Sequence, residues 1–437
     1  MAVDYAYPPQ LAQFLRHAWE ASLEAPPLLL DPAQLERVLT VAYQASLLRD
    51  EDRTVRIRIV VAGPGEFEAH HGPPDGLQPL VFDEPVPYTP DELRRLAVAA
   101  KYHRALIGVG FHGGEGRCGI WGMLQSGPGW IQVAQGGRGP APAPPPSALV
   151  VRVLGPGRIA VGRGLSTLAE LRGGVVGSPG MDVFRSQWLP ATFAETRAEL
   201  ARLHAEARAR AEATGERWAD LGPDVIRLAS QAMVRRFLAA MVSAHHGGTV
   251  IVLPTEGAED AIRGSGPLRL KYGFRDGEPR RRYRRLVLGL MSAIARAGGA
   301  AGVASVDGDT YASLRDEELA SLRDAIFEMS QLIAALTEVD GAVVMTKRFD
   351  ILGFGAEIIG DLPDVHDVSR ALDLEAEDRV TEPLIADGTR HRSAYRLCSR
   401  MQDALALVVS QDGGVRFVMM HRGEVTFWDH AIEMLDA

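Results

Sequence analysis

Apolar residues recur along this chain with two periods, and the switches between them predict its elements. Spacings of three and four predict helices over 11–21, 32–47, 90–103, 192–214, 224–243, 282–297, 314–336 and 392–402. The helix over 224–243 is the clearest, with Ile226, Met233, Phe237 and Met241 on one face and Gly247 and Gly248 just beyond its end. Alternating or continuous short apolar runs predict strands over 54–61, 105–110, 130–134, 148–153, 249–253, 342–346 and 404–410. A last pair, 415–420 and 424–428, is expected to form a hairpin turning at Arg422 and Gly423.

This order gives an α/β protein of more than one domain, because 437 residues exceed one ordinary domain. The stretch 192–214 is rich in Ala, Arg and Glu, follows Pro190, and carries Thr192 and Glu195 at capping-box spacing. It is read as a connecting helix. The expected organisation is a mixed α/β domain over 1–190, a connector over 191–222, and a domain over 223–437 with a central mixed sheet flanked by helices. Residues 136–146 are almost entirely Gly, Pro and Ala, so they lack core-forming side chains and are expected to be an exposed loop.

Composition narrows the function classes. A hydrophobic share of 46%, a charged share of 24% and a net charge of −9 are those of a globular protein with no overall pull toward nucleic acid or anionic membrane. A polyanionic substrate therefore needs a local basic site. No apolar run approaches about 18 residues, and the start at Met1 lacks a basic, then apolar, leader. A cytoplasmic location is expected, with no membrane partner. Cys118 and Cys398 are too isolated for a disulfide framework or zinc cluster and are read as structural.

Two segments carry candidate chemistry. Asp340, Gly341 and Ala342 form a turn before the apolar strand Val343, Val344 and Met345, a position that holds a carboxylate rigidly at a sheet end. Asp-Gly is also a common plain turn. The second segment runs Asp387, Gly388, Thr389, Arg390, His391, Arg392, Ser393 and Ala394 at an expected helix start. Helix N–H groups favour anions and guanidinium forks match phosphate oxygens, so the cluster suits a triphosphate; surface arginines on an amphipathic helix are the plainer alternative.

Together, and in this order, the two segments resemble the paired signature of the diadenylate cyclase domain: an Asp-Gly-Ala turn before a strand, Gly-Thr-Arg-His-Arg opening a helix, and an Asp-Ala step into an apolar strand ending in Ser, here Asp403, Ala404 and then Leu405 to Ser410. Gly247, Gly248 and 249–253 resemble that family's entry into its sheet. The resemblance implies condensation of two ATP into cyclic di-AMP and two pyrophosphates, with two facing protomers in a homodimer or larger homo-oligomer. It implies that Asp340 binds Mg²⁺ or Mn²⁺ and helps activate a 3′-hydroxyl, and that Gly341 and Ala342 let nucleotide approach. Gly388, Thr389, Arg390, His391 and Arg392 are expected at the phosphates, with Ser410 and Gln411 near the same site and Leu352 and Gly355 on the base side.

Two departures bear on that expectation. The family's small-residue stretch beside the adenine reads Leu352, Gly353, Phe354 and Gly355 here, and its Ser-Glu pair reads Ser410-Gln411, with Asp412 next. A nucleotide-binding sensor or scaffold without turnover, and a cyclase making another cyclic dinucleotide, are the alternatives. The amino-terminal half resembles a sensor domain found attached to diadenylate cyclase domains, at Ala42-Tyr43-Gln44-Ala45-Ser46-Leu47-Leu48-Arg49 and Gly155-Pro156-Gly157-Arg158. Its ligand is not implied.

Other patterns are read as structural. Gly108, Gly110 and Gly113 match a dinucleotide fingerprint, but no helix start follows, so a loop is expected. The basic run Arg280, Arg281, Arg282, Arg284 and Arg285 is read as a solvated helix start. Adjacent His245 and His246 lack zinc-site spacing, and Asp307-Gly308-Asp309 is read as a turn or helix entry.

Overall fold

The computed structural model describes residues 5–20, 30–67, 77–102, 104–112, 117–126, 148–164, 166–177, 180–244, 246–264, 266–360, 362–384, 388–411 and 413–431. Both of its units are mixed α/β, one built from residues up to 177 and the other from 180 onward.

In the first unit an eight-stranded sheet runs, from edge to edge, 175–177, 166–172, 158–163, 149–155, 57–61, 105–112, 117–125 and 78–87. Helices Pro8–Glu20 and Pro32–Ser46 cover one face, burying Leu11, Leu15, Leu35, Val38 and Leu39 against Ile57, Ile59, Val151 and Val153. Asp31 caps the second helix with a reciprocal capping box to Gln34. The expected helix over 90–103 is shorter, Pro90–Leu96, because Leu93 is its one buried anchor. Gly108 and Gly110 sit within strand Ala105–His112 rather than in a loop. A side chain at Gly108 would collide with the Trp121 ring at 2.1 Å, so this glycine makes room for an indole, not a dinucleotide. The strand expected over 130–134, the loop over 136–146 and His245 lie outside the described residues.

The second unit is a nine-stranded mixed sheet. Its strands are β1 (Gly248–Leu253), β2 (Leu268–Gly273), β3 (Ala342–Thr346), β4 (Ile351–Ile358), β5 (Asp367–Ala371), β6 (Arg379–Pro383), β7 (Leu405–Val409), β8 (Val415–His421) and β9 (Glu424–His430), in the order β2-β4-β3-β1-β7-β8-β9-β5-β6. β1 and β3 are parallel, and β7 is antiparallel to β1. These three are buried throughout, which explains their unbroken apolar sequences. Arg422 and Gly423, both at positive φ, form the expected β8–β9 turn.

Helices α1 (Ala194–Ala213), α2 (Pro223–Ser243), α3 (Glu278–Ala300) and α4 (Glu317–Leu336) precede β3 or lie between the early strands, while α5 (Thr389–Arg400) leads into β7. Phe237 of α2 packs toward Val252, Met345, Leu405 and Leu407 on one sheet face. On the other face Ala394, Tyr395 and Cys398 of α5 pack on Ala406, Val408, Val418 and Phe427. Burial pushes the Cys398 thiol up to about 12 and that of Cys118 to about 11, in keeping with structural cysteines.

The expected capping box at Thr192 does not form. Thr192 ends a short helix, Trp188–Thr192, and donates its hydroxyl to Trp188 O, while α1 starts after Phe193 without a side-chain cap. Aromatic packing fixes this segment to the second unit. Trp188 lies 4.4 Å from Trp428 between ring centroids, Phe193 stacks on Phe349 at 5.3 Å, and Thr196 donates to Lys347 O. The stretch expected as a connector is thus part of a core, and the division of the chain falls before 180 rather than near 190.

Candidate functional site

One end of the second sheet is built from backbone. Ala342 pairs with Thr249, Thr249 with Val408, Val408 with Arg416 and Arg416 with Asp429, so these five residues form a row across β3, β1, β7, β8 and β9. Asp340 lies just before this row on β3, and Ser410 just after it on β7. The two are therefore at the same sheet end, about 10 Å apart by two strand spacings. Gly247 lies against the Ser410 side of this end, since a side chain there would meet Val409 O at 2.8 Å and Gln411 N at 3.0 Å.

The arginine-bearing helix reaches this end for a topological reason. A four-residue link, 401–404, connects the last turn of α5 to the first residue of β7, and the helix packs back over β7, β8 and β9. It must therefore run antiparallel to β7. Twelve residues of helix span roughly 18 Å and five of strand roughly 17 Å, so Thr389 at the helix start comes level with Ser410 at the strand end. Tyr395 fixes the helix in place. It is buried, its hydroxyl accepts from Arg416 Nη1 at 2.8 Å, and its ring lies 6.4 Å from that of His391 one turn earlier. Arg416 also bonds Asp429 at 3.0 Å and stacks on Phe427.

At the helix start Gly388 is the N-cap with extended backbone and no side-chain cap, and the first turn contains no acid. Thr389, Arg390 and Arg392 are exposed and His391 half-buried. Among the described residues Arg390, Arg392 and Asp340 make no ion pair. Among the described residues this end thus presents two guanidiniums, a hydroxyl and one carboxylate to solvent at a helix start, with the half-buried imidazole of His391 beside them, a set able to bind a polyanion.

Glycines let the strands close up behind Asp340. Gly341 has φ of 116°, and a side chain on it would lie 2.5 Å from the Gly355 carbonyl carbon; Gly355 is itself at positive φ. Gly248 similarly admits the Thr337 side chain at the end of α4. Leu352, expected on the base side, is instead core: it is buried with Ala342, Val344, Ala356 and Leu397 because its strand faces α5 there. Ser410 holds the β7–β8 turn, its hydroxyl accepting from Gly414 N at 3.0 Å, and Gln411 is exposed. Asp387 and Asp412 lie outside the described residues.

The sequence did not single out Arg416, Tyr395 as its partner, or Tyr272 beside Gly355. Arg416 alternates with apolar Val415 and Phe417, a pattern that could have marked it as a charged residue set into a sheet face. For metal binding, no three His, Cys, Asp or Glu side chains gather among the described residues. A single carboxylate beside guanidiniums at a helix start would fit a metal carried mainly by the phosphates of a ligand, as Mg²⁺ commonly is, rather than one caged by protein.

A cleft of about 590 Å³ opens at the other end of the sheet, lined by Glu195, Glu256, Asp403, Lys347 and Arg348. Its mixed charges do not select a polyanion. The basic run Arg280 to Arg285 also lies toward that end, after β2, and its arginines are paired with acids at a helix start. Asp307 enters a helix as its N-cap, accepting from Thr310 N at 2.8 Å, and hydrogen bonding from the Thr310 side chain first and its N–H second draws the carboxyl below the usual range.

In the first unit the two segments with sensor-domain resemblance meet. Ser46 Oγ accepts from Gly157 N at 3.0 Å and donates to Tyr43 O at 2.6 Å. On the sheet face opposite the helices, buried Arg58 and Arg152 are cross-strand neighbours, bonded to Ser126 Oγ and to Thr167 Oγ1 and Gly164 O respectively. Burial lowers the Arg152 pKa.

Compared with known proteins, residues 24–125 match the family described as Probable sensor domain DACNV. The match includes Ala42 to Arg49 but not Gly155 to Arg158. No curated protein matches the chain. Among the described residues, no helix is long and apolar enough to cross a membrane.

Proposed function

We propose that the chain is a sensor-regulated diadenylate cyclase, joining two ATP into cyclic di-AMP with release of two pyrophosphates. The observation that carries this reading is the meeting of the Asp340 turn, the start of α5 and Ser410 at one sheet end. The matched sensor family supports it, since the chain resembles such domains attached to cyclases.

In this reading the α5 N–H groups, Thr389, Arg390, His391 and Arg392 hold the triphosphate, and Asp340 takes the proton of the 3′-hydroxyl. Each 3′-oxygen attacks the α-phosphorus of the ATP on a facing protomer, and pyrophosphate departs. Two such attacks close the ring, so the active species is a homodimer or larger homo-oligomer. Asp340 and the substrate phosphates would hold Mg²⁺ or Mn²⁺, which would supply charge neutralisation. The nucleophile belongs to the substrate, so the protein's task is positioning. The sensor unit changes how two cyclase units meet.

Gln411 favours a second reading, a nucleotide-binding unit without turnover, because an amide replaces a carboxylate that could share the metal. The test is incubation of the full chain with ATP, or with GTP, and Mg²⁺ or Mn²⁺, with products identified by mass. Cyclic di-AMP from the native chain, reduced at least about 100-fold in Asp340→Asn and formed at a rate rising more than linearly with protein, supports the cyclase. ATP binding without product supports the second reading, and a product from GTP redirects the substrate.

A further inference from the structure

Beside the glycines that back the Asp340 turn stands an aromatic stack with one face open. Tyr272 on β2 and Phe354 on β4 are directly paired across the strands, with ring centroids 4.8 Å apart and planes 22° from parallel. Phe274 extends the stack to 5.8 Å beyond Phe354. β2 is an edge strand of the sheet, and among the described residues Tyr272 is 54% exposed. Its neighbour two residues back, Leu270, packs into the apolar cluster that holds Ala342 and Leu397, so by strand alternation Tyr272 stands on the face that α5 covers.

The stack is continuous with the candidate site through backbone. A side chain on Gly355 would touch the Tyr272 ring at 3.4 Å, and one on Gly341 would strike Gly355. Tyr272, Gly355 and Gly341 are therefore successive layers, with Asp340 on the last. Ala342, Ala356 and Leu270 lie in one row, and Tyr272 stands two residues beyond it while Asp340 precedes it by two, so the ring is two strands to the side of β3 and about 15 Å from Asp340, with the cationic helix start on the other side of β3.

We infer that Tyr272, braced by Phe354, is the surface on which the purine ring of the bound nucleotide stacks, a specificity-determining residue for this site. The inference rests on the nucleotide reading given above. A large flat ring, held by a second ring behind it and open in front, offers a base a preformed stacking partner at little entropic cost. Because Tyr272 is more than half exposed, its truncation removes a surface and not a core contact.

The test is calorimetric titration of the full chain with α,β-methylene-ATP, which cannot release pyrophosphate, and with inorganic tripolyphosphate, which has no base. Tyr272→Ala should weaken the nucleotide roughly 5- to 100-fold and leave tripolyphosphate unchanged, with Tyr272→Phe within about 2-fold of the native chain. Phe354→Leu should show a smaller loss of the same kind. Equal affinity of Tyr272→Ala and the native chain for the nucleotide would overturn the stacking role and leave the nucleotide reading intact. Equal losses for nucleotide and tripolyphosphate would also overturn it, by showing that the turn itself had shifted. No binding of α,β-methylene-ATP by the native chain would remove the nucleotide reading and this inference together.

Discussion

Two arginine-rich helix starts stand toward opposite ends of the same sheet, and they are used differently. At the start of α3, Arg280 bonds Glu259 at 2.7 Å, Arg281 bonds Asp276 at 2.8 Å, Arg284 bonds Glu199 at 3.3 Å, and Arg285 reaches back to Glu278, the first residue of the helix. At the start of α5, Arg390 and Arg392 have no carboxylate partner among the described residues, and the first turn has no acid. One end has satisfied its cations and is closed to an anion; the other holds them ready. The same residue type at the same helical position therefore carries opposite expectations, decided by the acids around it.

The comparison breaks most severely at the open end if its backbone is disturbed. Gly341→Ala places a Cβ 2.5 Å from a backbone carbon at a φ of 116°, and about 2–5 kcal/mol of stability should be lost in chemical denaturation. Next come the ready cations. Arg390→Ala and Arg392→Ala should each weaken ATP binding about 10- to 100-fold, the value of a charge-assisted hydrogen bond, while the denaturation midpoint stays where it was. A fall in midpoint would show that these arginines, like those of α3, serve the fold.

The contrast was only half legible in the chain. Strands buried on both faces, β1, β3 and β7, read as unbroken apolar runs and were placed within a residue or two. Edge strands such as β2 and β6 are largely exposed and polar, so they carry no such period and went unread. Glycines at 353 and 355 hid β4 in the same way. The Asp340 and Arg390–Arg392 segments were legible as motifs, yet their meeting was not, because it depends on the direction in which α5 returns over β7. Nor does sequence reveal which arginines are paired. Glu199 and Arg284 are 85 positions apart, and only folding makes them neighbours.

The paired end should answer mutation in the opposite sense. Arg284 and Glu199 have side chains 21% exposed, and Glu199 also forms an ion pair with Arg348 at 3.0 Å, without hydrogen-bond geometry. Arg284→Ala therefore leaves the carboxylate one partner, so the cost should be near 1 kcal/mol. ATP affinity should not change. A tenfold loss of affinity on this substitution, measured beside Arg390→Ala, would dissolve the distinction between the two ends.

The smallest expected effect concerns Asp350, in the β3–β4 turn at the paired end. Burial raises its pKa, an effect that outweighs Arg284, Arg281 and Arg348 nearby, and its Oδ1 has no hydrogen-bond partner among the described residues. A carboxyl whose folded pKa lies above its unfolded value favours the folded state at low pH, and that contribution disappears as pH rises through the folded pKa. Above that point the ionised group disfavours folding. Asp350→Asn removes the ionisation and keeps the shape, so it should match the native chain in stability at low pH and exceed it slightly at neutral pH. Denaturation midpoints of the two proteins across this range give the sign directly. A variant less stable at neutral pH would mean that the three arginines hold Asp350 as a counter-ion, and that this end is paired more completely than its distances indicate.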